Sequence, residues 1–215
     1  DGIRRMYGES QENIYYYLTV MNENYAMPAM PEGAEEGIRK GIYKLESHAG
    51  SKAKVQLMSS GTIMNEVRKA AQILSEDYGV ASDIFSVTSF NELTRDGQDA
   101  ERYNMLHPEA EAKVPYITTV LGNEPAIAAT DYMKNYAEQV RAFMPTESYK
   151  VLGTDGFGRS DSRENLRRHF EVNAGYVVVA ALTELVKRGD IEKSVVAEAI
   201  AKFNIDTEKT NPQYA

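Results

Sequence analysis

Four arginines and three glycines crowd the stretch from residue 151 to 170. Gly153, Gly156 and Gly158 let the backbone take positive φ or approach another surface closely. Asp161 followed by Glu164 fits a capping box, in which the aspartate takes an orphan amide and the glutamate reaches back. Arg159, Arg163, Arg167 and Arg168 gather positive charge around the start of the helix so capped, a place already suited to anions. The segment Asp155, Gly156, Phe157, Gly158, Arg159, Ser160, Asp161 and Arg163 is therefore singled out as the candidate site. The plainer reading is a strand-to-helix turn packed against a partner subunit.

Other constellations carry less. Ser59-Ser60-Gly61-Thr62 resembles a small-residue anion cradle between a strand and a helix. It lacks the lysine of a P-loop and the glycine spacing of a dinucleotide fingerprint, so a plain N-cap turn is the favoured reading. His48, His107 and His169 are scattered without metal-ligand spacing. Glu35 and Glu36, and the Asp96, Asp99 and Glu101 group, read as solvated helix faces. Met6, Met21, Met27 and Met30 suit packing against a neighbouring domain. Tyr15-Tyr16-Tyr17 would point to opposite sides of a strand, so core filling competes with a role for one of them at an interface. A nucleophile, its base and a metal cluster are not found together, and no catalytic, cofactor-binding or metal residue is assigned.

The elements that would position these residues alternate in type. Residues 13–20 read as a buried strand, and the prolines at 28 and 31 mark an extended linker with a boundary near Met30. Residues 34–40 form a short helix and 41–46 alternate like an edge strand. Strands at 54–58 and 81–87 follow, separated by a helix from Ile63 to Tyr78 that Gly79 closes. A helix is expected over 91–106, then short strands at 114–121 and 126–129. Asp131 is expected to cap a helix through Phe143, ahead of the strand that enters the glycine loop. Amphipathic helices at 176–187 and 194–203 end the pattern, with Gly189 closing the first. Residues 206–215 are expected to fray. Strands alternating with helices predict a mostly parallel sheet covered on both faces, with sites at the strands' carboxyl ends. Four polar loops share that edge: Ser59–Gly61, Thr88–Asn91, Thr130–Asp131 and the glycine loop.

With 215 residues, 42% hydrophobic, the chain can bury a core. A net charge of −8 argues against a nucleic-acid partner. The chain has no cysteine, which suits a cytoplasmic location, and no apolar run approaches a membrane span. The beginning at Asp1 leads us to expect a piece of a longer protein.

Several long segments resemble the homodimeric pyruvate dehydrogenase family, thiamine-diphosphate-dependent decarboxylating enzymes of bacteria. They include Gly2-Ile-Arg-Arg-Met-Tyr-Gly, Asn22-Glu-Asn-Tyr, Met27-Pro-Ala-Met-Pro-Glu-Gly, Ser86-Val-Thr-Ser-Phe, Arg95-Asp-Gly-Gln-Asp, Asn104-Met-Leu-His-Pro, Thr130-Asp-Tyr-Met-Lys and the run 152–170. The resemblance spans essentially the whole chain. It implies a C-terminal domain of transketolase type over residues 31–215: a three-layer α/β/α fold, mostly parallel with one antiparallel edge strand. Residues 1–30 would be the tail of an upstream pyrimidine-binding domain. It further implies an enzyme that decarboxylates pyruvate with thiamine diphosphate and Mg²⁺ and hands the acetyl unit to lipoyl groups. Its partners would be a second copy of itself, its own upstream domains and a dihydrolipoyl acetyltransferase. The family's cofactor and catalytic motifs have no counterpart here, so no cofactor is expected in this chain. Three readings stay open: a non-catalytic fragment of such an enzyme, an autonomous module that takes an anionic ligand at loop 153–163, and a purely structural dimerisation domain.

Overall fold

The computed structural model describes residues 1–21 and 24–215; Asn22 and Glu23, within the predicted linker region, lie outside the described residues. Five strands form one sheet: β1 (Ile42–His48), β2 (Ala53–Ser59), β3 (Val80–Val87), β4 (Ala126–Ala129) and β5 (Tyr149–Leu152). Their spatial order is β1-β3-β2-β4-β5. β3, β2, β4 and β5 run parallel, and β1 closes one edge antiparallel to β3. The predicted architecture holds, edge strand included.

Alternation along the strands sorts two cores. Val55, Leu57, Ile84, Ile127 and Leu152 face one side, where α3 (Met64–Tyr78), α8 (Ala174–Arg188) and α9 (Lys193–Lys202) cover them. Met58, Phe85, Val87, Ala128 and Val151 face the other, under α4 (Phe90–Leu106), α5 (Tyr116–Val120), α6 (Lys134–Glu138) and the 3₁₀ turn Arg141–Phe143. Burial on both faces explains why the central strands read as continuous apolar runs. In α3 the buried Val67, Ala70, Ala71 and Leu74 recur at helical spacing, and Gly79 ends the helix at φ 66°. Asn173 caps α8 through its side chain, and Gly189 ends that helix at φ 82°. Short helices α1 (Gly2–Tyr7), α2 (Glu35–Lys40) and α7 (Arg163–His169) complete the chain.

Four expectations need correction. Residues 13–20 join no sheet, and Tyr15 and Tyr17 are each 86% exposed. The segment pairs with no strand among the described residues, and its tyrosines find no apolar face to bury against. Core filling by the tyrosines is therefore excluded. Tyr16 instead bonds Asp1 and Arg5. Residues 116–120 are helical, not extended, although β-branched types dominate them. Pro115 opens the turn, and Asp96 on α4 accepts the Tyr116 N–H at 2.6 Å, so a tertiary cap overrides propensity. The helix predicted from Asp131 is only α6, broken before the 3₁₀ turn, and its first amide is met by Asp155 rather than Asp131. Finally, residues 206–215 are tied down: Pro212 is buried and opens a 3₁₀ turn capped by the Asn211 side chain.

Candidate functional site

Because β2 to β5 run parallel, the four loops singled out do share the sheet's carboxyl edge. β5 delivers the chain to Gly153, where a Cβ would come within 2.6 Å of the Tyr132 carbonyl oxygen. That closeness lets the Thr154 N–H donate to Tyr132 O at 2.9 Å, while Thr154 Oγ1 donates to Asp131 O at 2.7 Å. Asp155 then turns inward: its Oδ1 accepts the Lys134 N–H at 2.8 Å, and its Oδ2 lies 3.6 Å from Lys134 Nζ. The carboxylate thus caps α6 from a different strand's loop, where the helix end favours negative charge.

Past Asp155 the loop faces outward. Gly156 takes φ 100° and backs directly onto the Pro212 carbonyl, leaving no room for a side chain. Phe157 is 82% exposed, and nothing lies within 4 Å of where a Cβ on Gly158 would stand. Ser160 is exposed. The predicted capping box is displaced by one residue: Ser162, not Asp161, caps α7 by accepting the Asn165 N–H at 3.3 Å. Asp161 braces the cap by accepting from Ser162 N at 2.6 Å and Asn165 Nδ2 at 2.8 Å, bonds that lower its pKa. These local side-chain bonds of Asp161 take the place of the box.

Arg159, Arg163 and Arg167 come together along a cleft of about 330 Å³, whose opposite wall holds Thr62, Asp131 and Thr154. The cleft draws on two of the four predicted edge loops and on Thr62, just past a third; Thr88 and Ser89 bond instead to the Ile38 carbonyl and to the start of α4. Arg167 is not free to bind: it donates to Glu66 at 3.0 Å, and the other oxygen of Glu66 accepts the Ala174 N–H at 2.9 Å. One α3 carboxylate thereby fixes α7 and the first turn of α8. Arg168 turns away to the Asn204 carbonyl. At the neighbouring turn Ser59 Oγ donates to Ala129 O, and Met21 packs against Gly61, so residues 59–62 serve as a strand-to-helix connection rather than an open cradle. The histidines stay separate: His48 lies 3.4 Å from Glu46, and His107 stacks on Tyr103. Among the described residues no group of three His, Cys, Asp or Glu side chains converges as a metal site would need.

Residues 41–173, from β1 through α7, match the family model for the transketolase-like C-terminal domain. The chain belongs to that family. All 215 residues align at 70% identity with the pyruvate dehydrogenase E1 component of Escherichia coli (strain K12). An alignment of 217 residues with that of Haemophilus influenzae shows 61% identity. The transketolase-type domain and its flanking residues cover 24% of each of those proteins, about a quarter of the length of the relatives they match. Solved transketolases from Campylobacter jejuni and Leishmania mexicana superpose with TM-scores of 0.47 and 0.45 at 19% and 21% identity. They cover 68% and 74% of this chain and 19% and 20% of theirs.

In this transketolase-type domain the loop's supports were invisible to sequence reasoning. Tyr132, Lys134 and Pro212 hold Thr154, Asp155 and Gly156, and Glu66 holds Arg167, each from a distant part of the sequence. Only the polar types after β4 hinted at them, through the Thr130-Asp131 loop.

Proposed function

We propose that this chain is the C-terminal, non-catalytic part of an enzyme that decarboxylates pyruvate with thiamine diphosphate and Mg²⁺ and passes the acetyl unit to lipoyl groups. The observation that carries the reading is 70% identity, over every residue, with a protein named pyruvate dehydrogenase E1 component. Residues 1–30 form the tail of the upstream pyrimidine-binding domain, and residues 31–215 are the transketolase-type domain. The full enzyme works as a cytoplasmic homodimer beside a dihydrolipoyl acetyltransferase. No helix among the described residues is long and apolar enough to cross a membrane.

The cleft does not suit the metal or the cofactor. Mg²⁺ takes an octahedron of oxygens, usually with one or two carboxylates. Here a single carboxylate, Asp131, faces three guanidinium groups. Thiamine therefore supplies its carbanion chemistry elsewhere in the enzyme. The contribution of residues 155–163 is orientation, as a surface at a subunit or domain boundary near the active-site entrance. Its outward Phe157 and its guanidinium row are the side chains such a boundary would use.

Pyruvate turnover and the dimerisation constant of full-length Asp155→Ala and Arg163→Ala enzymes test this. Asp155→Ala removes the α6 cap, and we expect turnover or dimer affinity to fall by roughly tenfold, as small misplacements at a boundary do. Wild-type values for both variants in both assays reduce the loop to a connector. Calorimetry of the isolated chain is expected to show no thiamine diphosphate binding; tight binding would contradict the assignment.

A further inference from the structure

Residues 204–215 run back along α7, touching its carboxyl end and, at Gly156, the start of the candidate loop. The turn that reverses the chain is Asn204, at φ 48°, whose carbonyl accepts from Arg168 at 3.0 Å. Lys209 then reaches the carboxyl end of α7. Its ammonium donates to the carbonyls of His169 at 2.7 Å and Arg168 at 3.3 Å, pairs with Glu171 at 3.1 Å and lies 5.3 Å over the Tyr176 ring. Helix-terminal carbonyls are orphan acceptors, and a cation there is favoured.

This helix end needs such support. α7 closes with the Val172 N–H bonded to the Arg167 carbonyl and with Glu171 in the left-handed region at φ 63°. That position usually belongs to glycine, and a glutamate holds it at a cost. At the start of the loop the buried Pro212 seats its carbonyl against the backbone of Gly156. Between these two fastenings lie the exposed residues 157–165, including Gly158, where a Cβ would meet nothing within 4 Å.

We propose that residues 204–215 are a strap that holds loop 155–163 in its working shape, with Lys209 as the positioning residue at its latch. Side-chain identity at Lys209 matters through direct donation to main-chain oxygens, so arginine can replace it and methionine cannot. Glycine at 156 is required because any Cβ would strike the Pro212 carbonyl and lift the strap. The consequence for catalysis rests on the reading of the loop as an entrance element; the strap itself does not.

The test compares full-length wild type, Lys209→Met, Lys209→Arg and a chain ending at Thr210. Amide exchange of Phe170 and Val172 and the rate of tryptic cleavage after Arg159 and Arg163 are measured, with amides of β2 and β4 as reference. Lys209→Met is expected to speed exchange at Phe170 and Val172 and cleavage at the loop at least tenfold, with the reference amides unchanged and Lys209→Arg near wild type. The chain ending at Thr210 is expected to speed cleavage after Arg159 while keeping Val172 protected. Unchanged loop rates overturn the strap, as does acceleration of loop and sheet amides together, which would mark general destabilisation. If the loop is released while pyruvate turnover holds, the strap stands and the entrance reading fails.

Discussion

At the scale of single residues, two aspartates show how position decides the role of one side chain. Asp83, on β3, accepts from Lys44 at 2.7 Å, Lys54 at 2.8 Å and Ser47 at 2.7 Å. Burial raises its pKa, but the two lysines and the hydroxyl outweigh burial and bring it down to about 2. A carboxylate with a depressed folded-state pKa stabilises above its unfolded value and loses that contribution as pH falls. Asp83 therefore contributes fully above pH about 4, and its share disappears as the pH nears 2. Discounted for the half-exposed lysines, that share is on the order of 1–2 kcal/mol. Asp83→Asn should lower stability by about that much at pH 7 in urea unfolding, with the gap closing in acid. Equal gaps at pH 7 and pH 2.5 would refute the pairing. Asp155, by contrast, owes its place to Lys134, whose backbone amide and ammonium it meets across the sheet edge. Its loss frays α6 and loosens the loop rather than the core.

At the scale of elements, α4 is legible as a helix, yet the reason for Gly97 is not. Glycine in a helix interior costs about 1 kcal/mol relative to alanine, so its presence calls for a packing cause. The ring of Phe143 lies directly on Gly97, closer than any Cβ would allow. Gly97→Ala should therefore destabilise by about 1–3 kcal/mol through overpacking, despite the gain in helix propensity. Thermal unfolding checks the sign: a rise in Tm would mean that the ring moves aside freely. α5 is the matching failure of local reasoning. Its β-branched residues predict a strand, but Asp96 caps its first amide and Thr118 donates to the Phe143 carbonyl at 2.7 Å. Both partners come from other elements, beyond the reach of any periodicity.

For the whole molecule, the amino-terminal segment matters most. Tyr15, Tyr17, Leu18 and Val20 stand exposed together in extended chain that touches the domain through few points, among them Thr19 against Tyr132 at 2.8 Å. An apolar run of this kind marks an interface. Under the proposed function its cover is the upstream domain or the second subunit. Leu18→Glu in the full-length enzyme should weaken dimerisation or domain docking at least tenfold, read by sedimentation, while leaving the Tm of the isolated domain within about 2 °C. An unchanged dimer would mean that the segment stays open to solvent.

The mostly parallel sheet, the two helical faces, the glycine closures at 79 and 189 and the shared carboxyl edge were all written in local patterns of burial and turn chemistry. Such features depend on neighbours a few positions away, so periodicity reports them. Tertiary structure alone decided that residues 13–20 stay unpaired, that Ser162 rather than Asp161 caps α7, and that the last residues grip the glycine loop. The first is the absence of a partner, the second is a choice between adjacent local caps, and the third turns on partners far away in sequence. Hydrogen bonds and apolar contacts of that kind exist only once the fold has brought the two surfaces together.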